Sequence, residues 1–174
     1  MIIRPAQPED AGAICDIINA LVRDTLVTFT TLEKTTSQVC ADIAEKAGGY
    51  LVAELDGQVV GHANYGAFRG GPGYRHTAEH TIHLVPAAKG SGIGRALLLA
   101  LEDVAAQAGI HVLVAGISSA NPAGLKFHAA MGYSEVGHLP EVGRKNGQWL
   151  GTVLMQKILP PSSQAEPDSF DKKD

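Results

Sequence analysis

The sequence has few of the features that would crosslink a protein or attach it to a membrane. Only two of its 174 residues are cysteines, and Cys15 and Cys40 both lie in apolar helical patterns. We therefore expect buried, reduced thiols of the kind found in the cytosol, not a disulfide framework. No apolar run reaches the roughly 18 residues that a membrane span needs. The N-terminus also lacks the basic run and apolar core of a signal peptide.

Charge is scarce as well, at 18% of residues, and the formal net charge is -4. An excess of acid over base argues against a general nucleic-acid binder and against a partner membrane of anionic lipid. A hydrophobic content of 45% excludes wholesale disorder. The length predicts one domain, which we place at residues 1–159. From Pro160 the composition shifts to Pro, Ser, Asp and Lys, which predicts a disordered tail over residues 160–174. We expect a soluble, cytoplasmic protein.

Hydrophobic periodicity and turn signals predict the element order β-α-α-β-β-β-α-β-α-β-β, an α/β fold with mixed strand pairing. We expect Ser37 to cap the second helix. The dipeptide Asp56-Gly57 is a strong hairpin signal, because both central turn positions need positive φ. Residues 112–117 are purely apolar, which is typical of a strand buried on both faces.

A glycine-rich turn opens the third helix. It consists of Lys89, Gly90, Ser91, Gly92, Ile93 and Gly94. Such a turn exposes successive backbone N–H groups, which together with the helix dipole form an anion site. The Walker pattern fails because Arg95-Ala96 follows the last glycine, and the dinucleotide fingerprint fails because Arg95 or Leu97 takes its third glycine place. A ligand-free connection between strand and helix stays open.

These residues together resemble the GCN5-related N-acetyltransferase (GNAT) superfamily. The strand that leads into the glycine turn is similar to the central motif of that superfamily, with Lys89 where Arg or Gln is usual. Residues 121–133 are similar to the second signature of the superfamily. Residues 73–82 and 141–150 look like the phosphinothricin and methionine sulfoximine acetyltransferase group. The resemblance extends over residues 2–159. It implies the GNAT fold, with a mostly antiparallel central sheet flanked by helices.

The resemblance implies acetyl-CoA as the cosubstrate and no metal. Its pyrophosphate would lie on the backbone N–H groups of residues 89–94. Its pantetheine arm would run along Ile82, His83 and Leu84, and Asn121 would hydrogen-bond to it. Asn121 could equally be only the cap of the helix that starts at Pro122.

The implied reaction is direct acetyl transfer to the α-amino group of a small amino acid or analogue, such as phosphinothricin, methionine sulfoximine or methionine sulfone. Glu79 is the candidate base, and we expect it to be buried because burial makes a carboxylate a stronger base. A strand-end glutamate in an ion pair or in water is the alternative. His128 stands where most of the superfamily has Tyr and this group has His, and it is the candidate acid for the leaving thiolate, unless it only packs on its helix. An oxyanion donor is expected near Leu84.

The expected acceptor pocket contains residues of the loop before Glu79 and of the strand that carries it. They are Phe68, Arg69, Tyr74, Glu79 and His80. The Arg69 guanidinium could form a bidentate contact with a carboxylate or phosphinate, or Arg69 could be a solvated loop charge. His76, His80 and His83 are closely spaced, but no Cys or second carboxylate completes the cluster, so we predict no metal site.

The resembled group forms homodimers whose interface helps to shape the acceptor pocket, so we expect a homodimer. Two other functions stay open. One is a GNAT enzyme for another amine, such as a polyamine, an aminoglycoside or a protein N-terminus. The other is a non-catalytic acyl-CoA-binding module.

Overall fold

Seven strands form one sheet, and four helices flank it. The computed structural model describes residues 1–160. The strands are β1 (Ile2–Pro5), β2 (Tyr50–Leu55), β3 (Gln58–Ala67), β4 (Thr77–Leu84), β5 (Val112–Ser118), β6 (Ser134–Lys145) and β7 (Gln148–Ile158). The helices are α1 (Ala11–Asp24), α2 (Thr36–Glu45), α3 (Ile93–Gln107) and α4 (Pro122–Ala130). This is the element order that the sequence predicts. None of the helices in residues 1–160 is long and apolar enough to cross a bilayer.

The sheet has the order β1-β2-β3-β4-β5-β7-β6. Every neighbouring pair is antiparallel except β4 and β5, which are parallel. That parallel pair extends only over Thr77–Glu79, which face residues 112–114. Both strands continue beyond it, β4 to Leu84 and β5 to Ser118. The two strands therefore separate after Glu79 and leave a wedge-shaped opening in the middle of the sheet.

The helices cover the two faces of the sheet unequally. On one face, which we call the α3 face, the buried leucines of α3 at positions 97, 98 and 101 pack on Ala63, Ala78 and Leu113. On the other face, the α1 face, Ile14 and Val39 of α1 and α2 pack against buried residues of β2. Helix α1 contacts the sheet at β3 and, less extensively, at β4. Within residues 1–160, the α1 face is left open at the wedge, where Glu79 of β4 and Gly116 of β5 are exposed.

Local turn chemistry explains where α2 begins and why one prediction is wrong. The predicted cap Ser37 is wrong because Thr35 caps α2. Its Oγ1 accepts from the Gln38 N–H at 3.2 Å, and the Gln38 Oε1 accepts from the Thr35 N–H at 2.9 Å. This reciprocal capping box satisfies two backbone donors at once, which a single cap at Ser37 could not do.

Two further predictions are corrected or limited by the structure. Burial of residues 112–117 on both faces is wrong at Gly116, which is exposed on the open α1 face. Cys15 is buried and Cys40 is half-buried, and both are free thiols. Of the predicted tail over 160–174, only Pro160 is among the described residues.

Candidate active site

The wedge between β4 and β5 continues into one cleft. A cavity of about 410 Å³ lies between the end of β4, the glycine turn and α4. A second cavity of about 220 Å³ lies between β4 and β5. The two share the lining residues Val27, Ile82, His83, Asn121 and His128. A ligand could therefore extend from the glycine turn into the wedge.

Two backbone N–H groups of β4 point into this cleft. The Val85 N–H donates to the Val60 carbonyl oxygen at 2.9 Å. In an antiparallel pair the donors alternate between the two sides of a strand. The N–H groups of Ile82 and Leu84 therefore point away from β3 and into the opening, where β5 no longer pairs with β4.

The glycine turn is built to receive an anion. Gly90 and Gly92 have φ of +78° and +84°, and no atom lies within 4 Å of a Cβ placed at either glycine. The N–H groups of residues 90–95 have no hydrogen-bond acceptor within residues 1–160. Lys89 and Arg95 line the same cavity. Unpaired donors, the positive end of α3 and two cations together suit a phosphate or pyrophosphate group.

Asn121 caps α4, because its Oδ1 accepts from the Gly124 N–H at 3.0 Å. Asn121 also lines both cavities. The cap uses the carbonyl end of the side chain and leaves the amide NH₂ as a donor for a ligand. Its contact with a cofactor stays a prediction.

His80 and His128 form a buried histidine pair on the α3 face. The His128 Nδ1 lies 2.8 Å from the Gly124 carbonyl oxygen, which can only accept, so this nitrogen carries a proton. The two Nε2 atoms lie 3.1 Å apart, so in the neutral pair the His80 Nε2–H donates to the His128 Nε2. Burial lowers the pKa of His80 to about 3, with a further contribution from His128. Burial also lowers the pKa of His128.

Glu79 lies on the opposite, α1 face, at the last residue of the β4–β5 pair. The expectation that it is buried is wrong for the single chain, because no helix in residues 1–160 covers this part of the sheet and Glu79 is exposed. Its Oε1 lies 2.8 Å from the position that a Cβ would take at Gly116. The absence of a side chain at Gly116 thus makes room for the carboxylate. The only sequence signal that Gly116 makes room for a neighbouring side chain is that it is the one glycine within an apolar run.

The loop before β4 brings Phe68, Arg69 and Tyr74 together near Glu79. The Phe68 N–H donates to the Thr77 carbonyl oxygen at 3.4 Å, two residues before Glu79. The rings of Phe68 and Tyr74 lie 6.4 Å apart, and the Arg69 guanidinium lies 5.2 Å from the Phe68 ring centre. Of the five predicted acceptor residues, four therefore lie at the open face. His80 does not, because its side chain points to the α3 face.

A chain of uncharged polar groups lies behind the cleft. The Tyr50 hydroxyl lies 3.3 Å from the His62 Nδ1, and the His62 Nε2 lies 3.3 Å from the His83 Nδ1. Burial lowers the pKa of His83 to about 4, and Lys89 lowers it further. His83 therefore lines the cleft as a neutral ring. Within residues 1–160, no cluster of three His, Cys, Asp or Glu side chains could hold a metal ion.

The loop between α1 and α2 also reaches the cleft, which no motif in the sequence indicates. Val27 lines both cavities and Thr28 lines the one in the wedge. The Lys145 Nζ donates to the Thr28 carbonyl oxygen at 2.9 Å, and Phe29 fills the space above Gly143 on β6. These contacts join segments more than 100 residues apart, so local sequence carries no signal for them.

Comparison with known proteins identifies the family. The model of the acetyltransferase (GNAT) family matches residues 15–133. An L-methionine sulfoximine/L-methionine sulfone acetyltransferase from Salmonella typhimurium is 38% identical over 172 residues, which cover 97% of this chain and 99% of that protein.

Two crystal structures extend the comparison to the fold. A phosphinothricin acetyltransferase from Sinorhizobium meliloti in complex with acetyl-CoA has a TM-score of 0.89 at 30% identity and covers 97% of this chain and 94% of its own. A ribosomal-protein-alanine N-acetyltransferase from Brucella melitensis has a TM-score of 0.87 at 38% identity and covers 91% of this chain and 100% of its own. The resemblance, the fold class and the N-acyltransferase class that the sequence predicts are thereby confirmed. With its family match, its relatives and its cleft in agreement, the chain belongs to the GNAT family of acetyltransferases.

Proposed function

We propose that the protein transfers the acetyl group of acetyl-CoA directly to the α-amino group of a small amino acid or analogue, of the methionine sulfoximine, methionine sulfone or phosphinothricin type. The names of the relatives support this acceptor class. The observation that carries the proposal is the position of Glu79. Its carboxylate lies on the open face, at the point where β4 and β5 separate, and the anion-binding turn borders the same cleft.

The groups that line the cleft suit the chemistry of acetyl-CoA. The N–H groups of residues 90–94 with Lys89 would hold the pyrophosphate, and Asn121 and the Leu84 N–H would hold the pantetheine arm. Acetyl-CoA supplies an activated acetyl group as a thioester. The Ile82 N–H points into the cleft nearer to Glu79 than the Leu84 N–H does, so Ile82 is the better placed donor for the acetyl oxygen.

Glu79 would take the proton that an ammonium must lose before it can attack a carbonyl carbon. The carboxylate is exposed and can act directly or through one water. In the described part of the chain, residues 1–160, no helix blocks its approach from the α1 face, so the acceptor would enter there while the cosubstrate enters along α3 and α4. The two reactants would then meet at the wedge from opposite faces of the sheet.

His128 would return a proton to the leaving thiolate. The geometry sets a condition on this role, because in the neutral pair the His128 Nε2 already accepts from His80. The pair must first take up a second proton. Burial lowers the pKa of both rings, so a protonated pair would release this proton readily.

We further propose a cytoplasmic homodimer. The free thiols of Cys15 and Cys40 suit a reducing compartment. Val136, Leu139, Val142 and Trp149 are exposed apolar residues of the β6–β7 hairpin. A second copy placed on such a surface would bury apolar area and cover the open acceptor face. Sedimentation velocity tests the dimer, and a monomer at micromolar concentration would contradict it.

Thiol release from acetyl-CoA against a panel of amines tests the reaction. We expect release with methionine sulfoximine, methionine sulfone, phosphinothricin or a common amino acid, and none with spermidine or an aminoglycoside. The panel also includes a peptide with an N-terminal alanine, because the similar Brucella melitensis structure is of a ribosomal-protein-alanine N-acetyltransferase. Release with this peptide alone would replace the proposed acceptor. Tight acetyl-CoA binding without any release would favour a non-catalytic module.

A further inference from the structure

Three neutral side chains on the α1 face form a hydrogen-bonded chain that ends at the cleft. The Tyr50 hydroxyl lies 3.3 Å from the His62 Nδ1, and the His62 Nε2 lies 3.3 Å from the His83 Nδ1. Tyr50 and His62 are buried, whereas His83 is half-buried and lines both cavities. Buried polar groups are costly unless they are hydrogen-bonded, and the proposed chemistry gives none of these three a role.

The contacts of Asn64 set the direction of the hydrogen bonds in this chain. Lys46 can only donate, and its Nζ lies 2.6 Å from the Asn64 Oδ1. Asn64 faces Tyr50 across the β2–β3 pair. Burial raises the pKa of Tyr50, and a hydrogen bond from the Asn64 side chain opposes this shift, so the Asn64 amide donates to the hydroxyl oxygen. The proton of the Tyr50 hydroxyl is therefore left to be donated to His62.

A donor at Tyr50 fixes the tautomers of both histidines. Burial lowers the pKa of His62 and of His83, so at pH 7 each ring is neutral and carries one N–H. Because the His62 Nδ1 accepts from Tyr50, the proton of His62 is on its Nε2 and is donated to the His83 Nδ1. The proton of His83 must then be on its Nε2. This N–H has no acceptor within residues 1–160.

The unpaired N–H of His83 belongs to the part of the cleft where the two reactants would meet. His83 lines both cavities together with Ile82, Asn121 and His128. A cosubstrate held at the glycine turn and an acceptor in the wedge come together where the cavities join, so the acetyl group would lie there. The Ile82 N–H reaches this place from within the sheet. The side chain of His83 reaches it from the face that carries Glu79, because side chains alternate along a strand.

We propose that the His83 Nε2–H donates a hydrogen bond to the acetyl oxygen and stabilises the negative charge that forms on it. When the amine nitrogen bonds to the acetyl carbon, the π pair of the carbonyl moves to the oxygen. That pair returns as the C–S bond breaks, and the electrons of the C–S bond leave with the sulfur. His83 keeps its proton throughout.

The inference rests on the proposed function and adds a catalytic residue to it. A neutral imidazole can polarise a carbonyl without first taking up a proton, provided that its N–H faces the oxygen. Tyr50 and His62 act only through the tautomer of His83 and are therefore positioning residues. With the Ile82 N–H, the acetyl oxygen would have two donors.

Kinetics and calorimetry test the donor, with the acceptor that gives the fastest thiol release. His83→Phe keeps an aromatic ring and removes the N–H. We expect kcat to fall about 100-fold, as for the loss of one oxyanion donor. The Kd for acetyl-CoA should stay within about threefold, because the hydrogen bond strengthens only as charge develops. His83→Gln keeps an amide N–H and should retain more of kcat. If His83→Phe does not fold, His83→Leu takes its place with the same expectation.

Tyr50→Phe tests the chain, because it removes the hydroxyl that fixes the tautomers. NMR of the imidazole nitrogens distinguishes protonated from unprotonated positions, and the His83 signals are those that vanish in His83→Phe. We expect His83 to be protonated at Nε2 in the wild type and to populate both tautomers in Tyr50→Phe, with kcat lowered several-fold. Tyr65→Phe removes another half-buried tyrosine hydroxyl and should leave the tautomer and kcat unchanged.

Three results would overturn the inference and leave the proposed function standing. The first is an unchanged kcat in His83→Phe, and the second is a wild-type His83 that is protonated at Nδ1. The third is a Kd for acetyl-CoA that rises in His83→Phe as far as kcat falls, which would mean that the ring holds the pantetheine arm instead. No thiol release by the wild type with any acceptor would refute the proposed function, and this inference with it.

Discussion

Glu79 is the residue on which the proposed chemistry depends most directly. Glu79→Gln keeps the size of the side chain and removes its ability to take a proton. We expect kcat/KM to fall about 100-fold or more, in the range for the loss of a general base, and the acidic limb of the pH–rate profile to disappear. Glu135→Gln, at an exposed glutamate of β6, is the matched control and should keep the wild-type profile. A Glu79→Gln enzyme with an unchanged profile would exclude the base role.

Gly116 tests the position of that carboxylate rather than its charge. A Cβ at Gly116 would stand 2.8 Å from the Glu79 Oε1, so in Gly116→Ala the carboxylate must move by several tenths of an ångström. We expect kcat to fall about tenfold because a small misplacement of a reacting group is costly, while the KM for acetyl-CoA changes little. Gly137→Ala on β6, where a Cβ meets no atom within 4 Å, should leave kcat unchanged. Equal kcat values in the two variants would contradict the placement of Glu79.

These two residues differ in how far the sequence could predict them. Glu79 could be selected from the sequence because a charged residue in a strand poor in charge is conspicuous, and because the resemblance includes it. Its exposure could not be predicted, since that depends on where α1 and α2 end over the sheet. The role of Gly116 depends on a contact across two strands, so its being the one glycine in an apolar run marks the position without indicating the partner.

Among the structural elements, the glycine turn is the one whose substitution tests how acetyl-CoA is bound. Gly92→Ala places a Cβ on a residue with φ of +84° and therefore strains the turn whose N–H groups face the cleft. We expect the Kd for acetyl-CoA to rise about tenfold or more, measured by calorimetry. Gly57→Ala has a comparable strain, at φ of +76° in the β2–β3 hairpin. It should cost about 1 kcal/mol of stability, as Gly92→Ala does, and leave the Kd unchanged. A parallel loss of affinity in both variants would mean that general destabilisation explains the result.

The elements themselves were predictable because their signals are local. The hairpin turn at Asp56-Gly57 has the positive φ values that the dipeptide predicts, and Asn121 caps α4 as its sequence indicates. The separation of β4 from β5 has no such signal. It requires that a parallel pair stop after three residues while both strands continue, and this depends on tertiary contacts and not on local sequence.

For the whole molecule, four histidines whose pKa values are lowered by burial make the fold sensitive to acid. His62, His80, His83 and His128 lie within the sheet and its cleft, and burial lowers the pKa of each, to about 3 for His80 and about 4 for His83. The same groups titrate near pH 6.5 in an unfolded chain. Between about pH 6.5 and pH 4 the unfolded chain therefore binds protons that the native protein does not. The stabilising contribution of these histidines is complete above pH 6.5 and is lost as the pH falls toward the native pKa values.

The expected result is a free energy of unfolding that falls with decreasing pH by about 1.4 kcal/mol per pH unit for each buried histidine in this range. Urea unfolding at pH 7, 6 and 5 measures it. His83→Gln should reduce the slope by about one quarter, because one of the four groups no longer titrates. His111→Gln, at an exposed histidine outside this set, is the control and should leave the slope unchanged. A free energy of unfolding that is constant from pH 7 to pH 5 would mean that the four rings become protonated without unfolding. The neutral histidine pair and the neutral His83 described in the cleft would then be wrong as well.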